Sequence, residues 1–219
     1  MQAQFWLQRW QQGQTGFHRD EVMPLLEKHW PALSVPAGSR VFVPLAGKSK
    51  DMLWLVSQGY RVLGVELSPL AVEQFFDENK LEPAIHDSAQ GKHFIAGDIE
   101  LICGDMFDLG VKDLSDCVAI YDRAALIALP LDLRKRYASH LSRTLPAHCR
   151  MLLIALDYAQ SQMDGPPFSV SAEEVQALYA NHWQISMLER RDILSDEPRF
   201  IERGLTALHT SVFQLRRLG

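Results

Sequence analysis

The sequence predicts an open, doubly wound α/β fold: a mostly parallel sheet with an antiparallel pair of strands at its C-terminal end. Short apolar runs rich in Val, Ile and Leu alternate with helix-like segments through most of the chain, as in a parallel sheet covered on both faces. Two last β-like runs, "WQISMLER" and "LTALHTSVFQL", read as the antiparallel pair. With 219 residues, 47% of them hydrophobic, the chain can bury one substantial core, so a single domain over 1–219 is expected. Such sheets bind ligands outside the carboxyl ends of their strands, which makes the residues just after each strand the informative ones.

"RVFVP" (Arg40–Pro44) is an apolar, β-branched run suited to a strand buried on both faces. "KDMLWLVSQG" then sets Met52, Leu53, Leu55 and Val56 at helical spacing and stops at Gly59. "RVLGVE" (Arg61–Glu66) is a second strand. Ser68 caps the helix "LAVEQFFDEN", with Pro69 at its first position, where a missing N–H costs nothing. Later strands read as "IELICGD", "CVAIYDR" and "CRMLLIALDY", with the helix "LDLRKRYASHL" before the last of them. Ser171 with Glu174 three residues on is a capping-box signature for another helix.

A net charge of −5 argues against general attraction to nucleic acid or anionic lipid. The short basic run Arg134, Lys135, Arg136 reads as the wet face of an amphipathic helix. Cys103, Cys117 and Cys149 fit neither a disulfide framework nor paired zinc ligands, and the eight histidines form no metal motif. No apolar run approaches the roughly 20 residues of a membrane helix, and the first residues lack a signal-peptide layout. A soluble cytoplasmic monomer is expected, acting on a small molecule without nucleic acid, membrane or metal.

The stretch "VFVPLAGKSKDMLWLVSQGYRVLGVELS" (Val41–Ser68) contains Gly47-Lys48-Ser49, the ending of a phosphate-binding loop. That loop needs another glycine five residues earlier, where Phe42 stands instead, so the reading fails. A dinucleotide site is the next candidate, because Glu66 lies 19 residues beyond Gly47 at the end of the second strand. Its carboxylate can accept from both hydroxyls of a ribose. The glycine trio that admits a pyrophosphate is missing, however. The spacing therefore suits an adenosine-type ribose without a diphosphate, as in S-adenosylmethionine; a surface Glu66 ending an ordinary strand is the plain alternative.

The wording of the segment adds more. "VPLAGKSKDMLWLVSQGYRVLGVELSP", with "FWLQRWQQGQTGFH", "YDRAAL" and "GPPFSV", resembles the thiopurine S-methyltransferase family over nearly the whole chain. The resemblance implies a cytosolic, S-adenosylmethionine-dependent enzyme with the Rossmann-like class I methyltransferase fold, methylating sulfur on aromatic and heterocyclic thiols. It implies cofactor contacts at Trp10, Leu45, Glu66, Asp105, Met106 and Arg123, with Glu66 on the ribose and Asp105 and Met106 flanking the adenine. Arg123 would lie between the methionine end and the acceptor, and is the residue assigned to chemistry. Phe17 and Phe168 would stack on the flat acceptor, and the second substrate-side arginine is Arg199 or Arg203. Residues 1–30 would form a lid.

Each site has a plainer reading. Phe5, Trp6 and Trp10 could be the buried stripe of a short amphipathic helix, and Arg123 could pair with Asp122. An aromatic lid would also stabilise a sulfonium by cation–π contact and exclude water. No Gly-x-Ser-x-Gly elbow occurs, and no general base is assigned. A methyltransferase of the same fold acting on inorganic selenium or tellurium species or a halide is the alternative, and a non-catalytic cofactor-binding module is the alternative from another class.

Overall fold

The computed structural model describes residues 3–219. In chain order it contains α1 (Ala3–Gln11), α2 (Pro24–His29), β1 (Arg40–Pro44), α3 (Asp51–Ser57), β2 (Arg61–Glu66) and α4 (Pro69–Glu78). Then come β3 (Ala84–Ser88), β4 (Gly91–Ala96), β5 (Ile99–Cys103), β6 (Cys117–Arg123), α5 (Leu131–Thr144) and β7 (Arg150–Asp157). The chain closes with α6 (Ala172–Tyr179), β8 (Trp183–Asp192), α7 (Pro198–Glu202) and β9 (His209–Arg217).

One sheet has the order β3-β4-β5-β2-β1-β6-β7-β9-β8. β5, β2, β1, β6 and β7 run parallel, and β9 and β8 complete the C-terminal side antiparallel. Chain order reverses direction across β1 and β6, which places the ligand crevice at their carboxyl ends. The pleat sends neighbours to opposite faces. Phe42 enters the core cluster on one face, while Val41 and Val43 enter the other. The same alternation splits Ile120 from Ala119 and Tyr121. Burial on both faces is why these strands read as unbroken apolar runs.

The expected caps form. Ser68 Oγ accepts from the Ala71 amide at 3.3 Å, and Ser171 Oγ accepts from Glu174 at 3.3 Å. The carboxylate of Glu174 meets Arg134 at 3.1 Å. That contact corrects the reading of the basic run: Arg134 is buried and also donates to the Ser169 carbonyl at 2.7 Å, so it pins α5 to the segment before α6. The β3–β4 hairpin lies outside the expected elements and borders the parallel strands on that side, with β4 antiparallel to β5.

Asp122 is fully buried and accepts from the Tyr137 hydroxyl at 2.7 Å and the Leu126 amide at 3.1 Å. Burial pushes its carboxyl from 3.8 up to about 6, with those donors opposing. The folded state thus favours the protonated acid, and stability falls as pH rises through that window. Asp122→Asn does not titrate. Its stability relative to the parent should therefore rise by up to about 3 kcal/mol between pH 3.8 and about 6, read from urea midpoints at both ends. A gap that stays constant with pH would contradict this.

Candidate functional site

The chain leaves β1 and β6 through turns that side chains rarely adopt. Leu45 (φ 49°) and Gly47 (φ 54°) follow β1, and Ala124 (φ 63°) follows β6, all in the left-handed region. For a non-glycine residue that costs roughly 1–2 kcal/mol, and such residues gather at ligand sites. The turn after β1 brings the Gly47 amide to the Glu66 carboxylate at 2.9 Å, while the Ser68 amide reaches its other oxygen at 2.8 Å. The Gly-Lys-Ser turn therefore binds a carboxylate of its own chain. Burial raises the pKa of Glu66, and the amides of Ser68, Gly47 and Leu67 oppose that rise. An ionised carboxylate has about four acceptor positions, so Glu66 keeps capacity for ligand hydroxyls.

A cavity of about 600 Å³ opens over this floor. It runs from Asp105, Met106 and Glu66, past Leu45, to Arg123, the Pro166–Pro167 loop and α7. Residues 3–25 line it from the N-terminal side with Trp6, Trp10 and Phe17. Trp10 is buried, and a Cβ placed on Gly47 would stand 3.3 Å from its indole. Phe17 packs edge-on to both indoles, 5.4 Å from Trp10 and 5.7 Å from Trp6. Glycine at 47 thus permits both the left-handed turn and the close approach of the ring.

Most of the expected site residues meet around this cavity. Met106 is buried in its wall, and Asp105 caps the following turn by accepting from the Phe107 amide at 2.9 Å. Arg123 is half-buried on the wall, and no carboxylate among the described residues comes within 4.0 Å of it. Asp122 points to the opposite face, so it is no partner for Arg123. Arg199 and Arg203 both line the cavity. Arg199 pairs with Glu197 at 3.0 Å and donates to the Gly16 carbonyl, which ties α7 to the N-terminal segment. Phe168 stands outside the lining, its ring against Gly165 and 5.9 Å from the Arg134 guanidinium, and Pro166 and Pro167 form the wall there.

Sequence reasoning missed Asp51, whose buried carboxylate accepts from the Met23 amide at 2.8 Å and the Tyr121 hydroxyl at 2.9 Å. It joins the N-terminal segment to α3 and β6; an acid in the first turn of the helix after "GKSK" was the available signal. His18, also on the wall, is held below its ordinary pKa by burial and by Lys48. No helix among the described residues is long and apolar enough to cross a membrane.

The family model described as thiopurine S-methyltransferase matches residues 1–218. The chain belongs to the thiopurine S-methyltransferase family. It is 61% identical over 219 residues to the thiopurine S-methyltransferase of Bordetella parapertussis, covering 100% of both chains. It is also 61% identical over 217 residues to that of Xanthomonas campestris pv. campestris, covering 99% of this chain and 100% of the relative. Among solved structures, an S-adenosylmethionine-dependent methyltransferase from Anabaena variabilis has a TM-score of 0.67 at 16% identity, over 98% of this chain and 94% of that one. The Burkholderia thailandensis 1,6-didemethyltoxoflavin-N1-methyltransferase, solved with its substrate and S-adenosylhomocysteine, has a TM-score of 0.65 at 17% identity, over 99% and 87%. The expected class I methyltransferase fold is thus the one observed.

Within this family member, Gly47→Ala should cost about 1–2 kcal/mol of stability, because the turn is left-handed and the new methyl meets Trp10. Protease cleavage within the first 30 residues should accelerate at the same time. Unchanged urea midpoints and cleavage rates would show that the turn and α1 do not depend on that glycine.

Proposed function

We propose that the chain moves a methyl group from S-adenosylmethionine to the sulfur of aromatic or heterocyclic thiols of the thiopurine type. The observation that carries this is the buried Glu66 carboxylate at the end of β2, with acceptor capacity to spare and no phosphate cradle beside it. Those residues fit S-adenosylmethionine, which has a ribose and no phosphate. Strand order then distributes the roles. Asp105 and Met106 beyond β5 flank the adenine, Glu66 at the end of β2 holds the ribose, and Leu45 after β1 and Trp10 of α1 cover the sulfonium and tail. Arg123 beyond β6 faces the acceptor, with Phe17, the Pro166–Pro167 wall, and Arg199 or Arg203 around it. Phe168 supports that wall from behind.

When bound, the cofactor supplies a methyl on a sulfonium: the thiolate's electron pair takes the methyl carbon, and the broken C–S bond leaves its pair on the cofactor's sulfur. The protein supplies alignment and a dry pocket. The Arg123 guanidinium, with no carboxylate within 4.0 Å among the described residues, favours thiolate over thiol, so the proton can leave to solvent before transfer. Trp6, Trp10 and Phe17 exclude water and offer the sulfonium an aromatic face.

A cavity of about 600 Å³ walled by rings suits a planar molecule better than a halide or a small oxyanion, so the inorganic alternative is not favoured. In the same reading, residues 1–219 work as one domain with 1–30 as its lid, a cytoplasmic monomer without nucleic-acid or membrane partners; the acidic net charge of −5 supports that last part.

Methyl transfer to thiophenol, with cofactor affinity measured in parallel by calorimetry, tests the assignment. Glu66→Ala should weaken cofactor binding at least tenfold, the value of about one charge-assisted hydrogen bond. Arg123→Ala should cut turnover strongly and Arg123→Lys partly, since lysine restores charge without the planar fork. Normal cofactor binding in Glu66→Ala removes Glu66 from the site, and full turnover in both Arg123 variants makes that arginine structural.

A further inference from the structure

Asp51 is a buried carboxylate with no Lys, Arg or His nitrogen within 4.0 Å among the described residues. One oxygen accepts from the Met23 amide at 2.8 Å and the other from the Tyr121 hydroxyl at 2.9 Å. Its own amide donates to Ser49 Oγ at 3.3 Å. Met23, Ser49 and Tyr121 all line the cavity, whereas Asp51 stands behind the wall. They come from three separate segments: the stretch between α1 and α2, the turn after β1, and β6. Asp122 supplies the contrast. It too accepts from a tyrosine hydroxyl and a backbone amide, yet neither Tyr137 nor Leu126 lines the cavity. One carboxylate serves the core, and the other joins three pieces of the cavity wall.

The elements show what each link fixes. None of residues 11–24 is buried, whereas Leu25 and Leu26 of α2 enter the core. The bond to the Met23 amide therefore fastens the root of the segment that covers the cavity. Tyr121 and Arg123 are two residues apart on β6, so the pleat sets them on one face, and both line the cavity. Burial and the Asp51 carboxylate hold the Tyr121 pKa well above its ordinary value, and the Arg123 guanidinium opposes that rise. The phenol thus keeps its proton for Asp51, and Arg123 is close enough to act on it. Trp30 packs edge-on against the same ring at 6.4 Å.

We propose that Asp51 is a positioning residue for the methyl transfer, holding the root of the covering segment and the Tyr121–Arg123 face of β6 in one register. This rests on the function proposed above. Asp51 touches no group in the cavity and acts through Met23 and Tyr121. An in-line displacement tolerates little misplacement, and an error of about 1 Å can cost roughly 10²-fold in rate. Glu66 and Asp105 are held by bonds that do not involve Asp51. Its backbone link to Ser49 survives replacement of the side chain, so the turn that carries Gly47 is kept. Loss of the carboxylate should therefore fall on kcat and spare cofactor affinity.

Asp51→Ala, Asp51→Asn and Tyr121→Phe are compared in turnover of thiophenol, with S-adenosylhomocysteine affinity from calorimetry and the folded fraction from urea midpoints. Asp51→Ala should lower kcat roughly tenfold or more in fully folded protein, with the affinity held. Asparagine can keep both links, its carbonyl accepting from Met23 and its amide group donating to the Tyr121 oxygen, so it should recover most of the loss. Tyr121→Phe cuts one link and should lower kcat alone. Protease cleavage within residues 11–22 of the protein loaded with S-adenosylhomocysteine is a readout free of turnover. It should accelerate in Asp51→Ala and stay at the parent rate in the other two variants. Parental kcat and cleavage in folded Asp51→Ala would make Asp51 a staple of the core and overturn the proposal. Equal losses in Asp51→Asn and Asp51→Ala would overturn it too, since charge rather than placement would then matter. If Asp51→Ala does not fold, Tyr121→Phe decides, and parental kcat there overturns the proposal. A parent that methylates no thiol but shows the expected cleavage pattern would sink the proposed function and leave Asp51 as the anchor of the covering segment.

Discussion

A buried carboxylate held by backbone amides on two sides is the constraint on which the cleft depends. Removing Glu66 from water costs several kcal/mol unless hydrogen bonds replace the lost hydration. The amides of Gly47 and Ser68 provide them, and Gly47 can reach only because the chain after β1 turns left-handed. The same glycine leaves a bare surface for the Trp10 indole, Trp10 in turn seats Phe17, and Phe17 packs against Trp6. One electrostatic requirement at the end of β2 thus positions the floor of the cavity and the segment that covers it.

Three buried carboxylates stand near this crevice, and their partners separate their roles. Asp51 accepts from Met23 and Tyr121, and Asp122 from Tyr137 and Leu126; both bind one part of the fold to another. The known partners of Glu66 are backbone groups, and it faces the cavity. Arg123 is the cationic counterpart: the pleat that turns Asp122 into the core turns Arg123 toward the crevice, where no carboxylate among the described residues lies within 4.0 Å of it. Glu66 on the floor and Arg123 on the wall thus give the cavity a carboxylate and a guanidinium that face the same space.

Much of this was legible from residues. β1 and β2 begin and end where their apolar runs do, and the serine caps at 68 and 171 form as the side-chain chemistry predicts. The β3–β4 hairpin was missed because all five residues of β3 are exposed, which removes the apolar signal that marks the central strands. Arg134 was misread because a basic run looks solvated until its partner appears, and Glu174 lies 40 residues away. The relation of Asp122 to Arg123 was readable, since adjacent residues of a strand cannot share a face. Phe168 was assigned to the acceptor by its place in a motif. Its ring instead turns back on Gly165, which only three-dimensional packing decides.

The most direct test of the account is the pKa of Glu66, measured by NMR on protein carrying carboxyl-labelled glutamate, free and with S-adenosylhomocysteine. In the free protein burial should hold it above the ordinary carboxylate value. Ribose hydroxyls donating to the carboxylate favour its charged form, so binding should move the pKa down. Affinity should accordingly rise with pH through the window between the two values. A pKa that does not move on saturation with S-adenosylhomocysteine would mean that Glu66 does not hold the ribose, and the placement of every other group in the cleft would have to be redrawn.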